Sequence, residues 1–183
     1  IAPYIAKAIS IYPYDGFYRV QVEYYIQANR NLVASPATNQ DELKKQYLEN
    51  AQKAVDAGLA SVKINPDNYQ NYVSLGRSYE LAVPFDKEAA FKSAKKSYEE
   101  AVKLYPENPY LYIMLARLEA SAGTKDGVRL QLTEAIKKKN NFADALYLMS
   151  QLKASDNDID GALNYAIEAV KSAPNDPLVY IQA

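Results

Sequence analysis

Five segments of this chain close in the same way, and their spacing limits the fold more than any other feature. Ala8-Ile-Ser-Ile-Tyr-Pro13, Ser61-Val-Lys-Ile-Asn-Pro66, Ala101-Val-Lys-Leu-Tyr-Pro106 and Ala169-Val-Lys-Ser-Ala-Pro174 share one pattern, and Ala135-Ile-Lys-Lys-Lys-Asn140 keeps the frame with asparagine for proline. The closing positions 13, 66, 106, 140 and 174 are separated by 53, 40, 34 and 34 residues. A fixed period of this size marks stacked supersecondary units, each too small to bury its own apolar face without a neighbour.

Within the frame, small and large residues alternate between slots. Gly76, Ala94, Ala101, Ala116, Ala135, Ala162 and Ala169 permit close helix approach, and Tyr72, Leu75, Tyr98, Tyr112, Leu115 and Leu132 fill the intervening space. The chain has 17 tyrosines and no tryptophan, and most of the tyrosines fall in these packing slots. One unit reads Tyr72, Leu75, Gly76, Tyr79, then Ala94, Tyr98, Ala101, Pro106. The next reads Tyr112, Leu115, Ala116, then Val128, Leu132, Ala135; the third reads Leu146, Met149, Ser150, then Ala162, Ala166, Ala169, Pro174.

This pattern resembles the tetratricopeptide repeat (TPR) family over most of the chain. The resemblance implies an all-α fold, a right-handed α-α superhelix (TPR solenoid) of helix–turn–helix repeats in one domain. Its parts are a partial repeat at 1–13, an enlarged repeat at 15–66, and a repeat with an inserted turn at 68–106. Repeats at 109–140 and 142–174 follow, then a partial repeat at 177–183. Neither partial repeat carries a polar cap, so the chain reads as a piece of a longer polypeptide or as a unit that stacks on a neighbour.

Local signals predict helices over 2–12, 15–34, 39–64, 68–83, 87–104, 109–122, 125–139, 142–154, 159–172 and from 177 onward. Asp15, Asn68, Asn108, Thr124, Asn141 and Asp176 stand where N-caps are needed, and Pro109 and Pro177 fall at first helical positions. The first hairpin is enlarged and broken at Ser35-Pro36. The extra residues before Pro106 belong in the turn Val83-Pro84-Phe85-Asp86-Lys87, where Phe85 is expected to anchor the loop.

Composition removes several kinds of chemistry. There is no cysteine and no histidine, so thiol nucleophiles, the common zinc ligands and histidine general bases are absent. A net charge of −1 gives no electrostatic footprint for nucleic acid. The longest strongly apolar run, Tyr110 to Ala116, is far too short to span a membrane. Asp156-Asn157-Asp158-Ile159-Asp160-Gly161 matches the first half of an EF-hand calcium loop, but Ile167 stands where the bidentate glutamate belongs. The string reads as an acidic turn capping a helix that starts near Asp160. Lys137-Lys138-Lys139 suits the last turn of a helix, where cations complement the dipole. With no phosphate loop, nucleophile elbow or metal constellation, the expectation is no enzyme, no cofactor and no metal.

The TPR resemblance also implies a groove lined by positions two, five and nine of each repeat. These are Phe17, Val20 and Tyr24; Gln70, Val73 and Arg77; Tyr110, Ile113 and Arg117; and Asp144, Tyr147 and Gln151. Arginine and tyrosine dominate such interfaces because they combine area with directed hydrogen bonds. Family members that hold a chaperone's C-terminal carboxylate carry lysine and asparagine at positions five and nine. Val73 and Arg77 stand there instead, which speaks against that ligand. The leading expectation is a scaffold binding a peptide or partner protein in this groove. An alternative is a structural subunit that self-associates end to end. A third is a domain attached to an enzyme. Tyr12-Pro-Tyr-Asp-Gly-Phe-Tyr-Arg19, the long hairpin and the inserted turn before Ala89-Ala90 resemble TPR tails of bacterial O-antigen ligase- and polymerase-type membrane proteins. That resemblance implies the extracytoplasmic side of a bacterial cell, while the sequence itself fixes no compartment.

Overall fold

The computed structural model describes residues 2–34, 39–83 and 85–173. The expected break at Ser35-Pro36, the Asp176 cap and the helix from 177 onward lie outside them. Nine α-helices and no strand occur among the described residues. The chain divides into two compact units, 1–104 and 105–183.

In the first unit, α1 (Ala2–Ile11) lies against α2 (Asp15–Ala34), which pairs with α3 (Gln40–Ile64). Next, α4 (Tyr69–Glu80) packs on both α2 and α3 and pairs with α5 (Lys87–Leu104). In the second unit, α6 (Pro109–Ala122) pairs with α7 (Lys125–Lys138), and α8 (Ala143–Ser155) pairs with α9 (Ile159–Ser172). Each hairpin joins two consecutive helices. The first is the outlier, with helices of 20 and 25 residues against 13 or 14 for each helix of the second unit.

The alternation of small and large slots explains why these helices can pair so closely. Ala94, Tyr98, Ala101, Leu132, Ala135 and Ala169 are buried, as are Leu75, Tyr112, Leu115 and Ala116; Tyr72 and Ala162 are half-buried. At Gly76 the fit is tight, because a Cβ there would stand 2.6–2.8 Å from atoms of the Tyr98 ring. Val22, Ile26 and Ala57 form the core of the first hairpin, with Tyr18 and Leu81 packed against it. In the second unit Leu146 and Ala169 hold the last hairpin together, with Ile136, Tyr165 and Val170 around them.

Asn68 and Asn108 cap their helices by accepting from the amides of Gln70 and Tyr110, both at 3.1 Å. Asn39, which is not among the expected caps, does the same for Asp41 and Glu42. Three caps differ from expectation: Asp15 is already the first residue of α2, and its side chain is taken up by Arg19, Asn68 and Asn71. Phe142, not Asn141, is the N-cap of α8, because its ring is buried edge-on against Tyr110 with centroids 4.7 Å apart. Burying that ring outweighs a capping hydrogen bond. Thr124 occupies the N-cap of α7 but donates its hydroxyl to the Glu119 carbonyl (2.9 Å) and carboxylate (2.5 Å) instead. Helix α4 also stops earlier than predicted. Leu81, Ala82 and Val83 turn back onto Ser78, Tyr79 and Glu80 with tight i→i+3 hydrogen bonds, which opens the inserted turn. Asn108→Ala should cost about 1 kcal/mol of stability, as loss of an N-cap does, measured by thermal unfolding.

Candidate functional site

Each unit carries an open cleft beside the first helices of its hairpins. In the second unit a cleft of ≈250 Å³ is walled by Ala116 and Ala120 of α6, Val128 and Leu132 of α7, and Leu148 and Leu152 of α8. Arg117, Lys125 and Gln151 stand around this apolar floor. Lys125 is engaged, since its Nζ donates to the Ser155 carbonyl (2.9 Å) and to Asp156 Oδ1 (3.0 Å). Arg117 is exposed and makes no hydrogen bond, ion pair or ring contact among the described residues. Gln151 donates through Nε2 to the Tyr147 hydroxyl at 2.5 Å, which fixes one amide of the rim. The repeat spacing thus brings Arg117, Tyr147 and Gln151 together on α6 and α8.

The remaining sequence-derived residues of this unit are placed differently. Ile113 is only 1% exposed, so its side chain serves packing and offers no open surface. Tyr110 is 54% exposed and stacks edge-on with Phe142. Asp144 is exposed in the first turn of α8.

In the first unit Arg77 does not stand free. Its two terminal nitrogens form a fork-to-fork pair with the Glu23 carboxylate of α2, Nη1 to Oε1 in a very short contact and Nη2 to Oε2 at 3.0 Å. Beside it the Tyr98 hydroxyl donates to Glu80 Oε1 at 2.5 Å. Burial pushes the Tyr98 phenol well above its ordinary value, and the Glu80 charge and hydrogen bond push it further. Phe17 and Tyr24 are half-buried and make edge contacts with Tyr14 and Tyr25. Val20 and Gln70 are exposed, and Val73 is half-buried.

At the opposite end of these helices lies a polar junction. Asp15, 2% exposed, accepts at Oδ2 from Arg19 (2.8 Å), Asn68 (2.9 Å) and Asn71 (3.0 Å). Asn71 also donates to the Ser61 and Asn65 carbonyls at 3.0 and 2.8 Å, and its own Oδ1 accepts from Arg19 at 2.7 Å. Burial alone would raise the Asp15 carboxyl. The bonds from Asn68, Asn71 and Arg19, with the Arg19 charge, hold it below its ordinary value.

The acidic string at 156–161 is a structural turn. Asp158 is the N-cap of α9, accepting from the Gly161 amide at 2.9 Å, and it pairs with Lys153 at 2.8 Å. Asp156 accepts from Arg129 and Lys125, which lower its carboxyl. Gly161 lies inside α9, so the segment does not wrap an ion. Among the described residues no group of three or more acidic side chains is arranged to hold a metal. Likewise, among them no helix is long and apolar enough to cross a membrane. Lys138 in the last turn of α7 pairs with Glu107 at 2.8 Å, and Lys137 pairs with Glu134 at 2.5 Å.

Solved structures share this architecture. A thermophilic TPR protein from Thermus thermophilus aligns over 98% of this chain and 93% of its own, with TM-score 0.64 and 17% identity. YrrB, a TPR protein with an unusual peptide-binding site, aligns over 97% and 96% with TM-score 0.56 and 20% identity. MamA aligns over 88% and 78% with TM-score 0.57 and 19% identity. No family model and no curated protein sequence matches the chain. The protein therefore has the TPR helical-repeat fold, established by structure at identities where sequence comparison is silent. The likeness to O-antigen ligase tails finds no support in these structures.

Proposed function

We propose that the chain is a protein-interaction scaffold that holds a peptide or partner protein against the first helices of its hairpins. The observation that carries this reading is Arg117: an exposed guanidinium without an internal partner among the described residues, at the rim of an apolar cleft. A cation left in that position gains most from a carboxylate delivered together with an apolar side chain. Gln151 and Tyr147 supply neutral hydrogen bonds beside it. Tyr110 extends the exposed surface of α6, and Tyr24, Gln70, Val73 and Arg77 belong to the corresponding faces of α2 and α4. That YrrB, with the same fold, has a peptide-binding site is consistent with this use. The reading calls for no cofactor, nucleic acid or catalytic step.

The test is selection of a displayed random-peptide library on the whole chain, followed by titration of the selected peptides. Peptides pairing Asp or Glu with a large apolar residue are expected. Arg117→Ala should weaken their binding at least tenfold, and adding Arg77→Ala should change it little further, with helical circular dichroism unchanged. Failure to select any peptide, or unchanged affinity in Arg117→Ala, rejects the reading.

One observation favours self-association as a second reading. Ile159, Leu163 and Ile167 expose an apolar stripe at i, i+4 and i+8 along α9. Molar mass held at the monomer value through a dilution series would remove it. The extracytoplasmic, glycan-polymerase reading rests on the Tyr12–Arg19 string and the long hairpin, and an open reading frame with flanking transmembrane helices would support it.

A further inference from the structure

The lengthened first hairpin does something the regular repeats do not. The last two turns of α2 and the first two of α3 extend past the length of a 13- or 14-residue repeat helix. The tight turn after α4 brings Leu81 alongside. Between them lies a cleft of ≈470 Å³, within the size range of ligand pockets. Ile26, Val33 and Leu81 give it an apolar floor, and Tyr47 of α3 forms a wall. That wall is braced from behind. Phe85 of the inserted turn packs on Tyr47 with centroids 5.3 Å apart, and Lys44 lies over the Phe85 ring. Both departures from the 34-residue frame thus converge on one place.

The polar groups in the cleft divide sharply. Asn29 is 1% exposed and satisfied, donating to the Tyr47 carbonyl (3.1 Å) and accepting from Asn50 (3.0 Å). Arg77 is held by Glu23, and Glu80 accepts from Tyr98. Arg30 is exposed at the rim and has no hydrogen bond, ion pair or ring contact among the described residues. We infer that this cleft is a second binding site, distinct from the Arg117 cleft. Its occupant is a peptide segment that sets an apolar side chain against Ile26, Val33 and Leu81 and a carboxylate on Arg30. A basic segment would face an uncompensated guanidinium, and a polar neutral one would leave the floor wet, so charge and surface together select the acidic, apolar class.

The test uses the isotope-labelled whole chain carrying Arg117→Ala, which silences the other cleft. The probe is the capped peptide Gly-Ser-Glu-Phe-Glu-Leu-Ser-Gly, with versions carrying Lys for Glu or Ser for both Phe and Leu. The acidic, apolar peptide should shift the amide resonances of residues 26–34 and of Leu81 in a saturable way. Adding Arg30→Glu should weaken that binding at least tenfold, and both altered peptides should bind at least tenfold more weakly. Absence of shifts at 26–34, equal binding of the Lys peptide, or insensitivity to Arg30→Glu overturns the inference. So does appearance of the same shifts on raising protein concentration alone, which would make the occupant a second copy of the chain. None of these outcomes touches the Arg117 cleft, whose own failure is read in the library selection.

Discussion

Tyr98→Ala is expected to destabilise the 1–104 unit by about 3–5 kcal/mol, the cost of removing a fully buried aromatic ring from a core that cannot collapse around the hole. The ring is 0% exposed and lies where Gly76 lets α4 approach α5 most closely. The substitution also takes the hydroxyl from Glu80. Urea unfolding followed by helical circular dichroism reads the effect as a lower midpoint. Two further variants separate the contributions. Tyr98→Phe keeps the volume and should cost about 1 kcal/mol for the lost hydrogen bond. Gly76→Ala drives a methyl into the ring and should cost about 1–3 kcal/mol by overpacking. Joined to Tyr98→Ala, Gly76→Ala should cost far less, because the atoms it strikes are gone. Additive losses would show that the two positions do not meet. The same tyrosine contributes to the pH dependence on the alkaline side. Its folded-state value is raised above the ordinary 10.0, so its contribution is complete below that pH and is lost as the pH climbs beyond it.

Asp15→Ala is the second large loss, expected at about 3 kcal/mol. It leaves Arg19 without its carboxylate and takes the acceptor of the half-buried Asn68 amide, while Asn71 keeps the Ser61 and Asn65 carbonyls. The pH dependence has a defined sign. The folded carboxyl sits below its ordinary 3.8, so its contribution is present above that value and is lost as the pH falls through the lower folded value. Stability measured from pH 6 down to pH 2 should therefore fall less steeply in Asp15→Ala than in the parent. Parallel acid limbs in the two proteins would refute the assignment.

Much of the fold could be read from the sequence because its determinants are local. Asn68 and Asn108 act on amides two residues away, and Gly76, Ala94 and Ala101 recur at fixed offsets from large neighbours. The limits appear where a distant partner decides. Phe142 displaces Asn141 as a cap because of Tyr110, more than thirty positions earlier in the chain. Ile113 fits the groove position of its repeat by counting, yet an isoleucine beside Leu111, Tyr112 and Leu115 is drawn inward with them. Arg77 and Arg117 occupy equivalent positions, and nothing local reveals that Glu23 holds one of them. The cleft around Arg30 was invisible for a related reason. It is built from the insertions, which a repeat frame treats as interruptions.

The Glu23–Arg77 fork makes any binding at Arg77 an exchange reaction. An incoming carboxylate must evict one of the same kind, trading one bidentate pair for another and releasing Glu23 to water, with little net gain. On the proposed reading Arg77 would act as a turnstile rather than a magnet, admitting a group that reproduces the fork geometry and adding little to the grip once that group is seated. On the proposed reading, the grip in the second unit would rest on Arg117, which has no tenant to displace among the described residues.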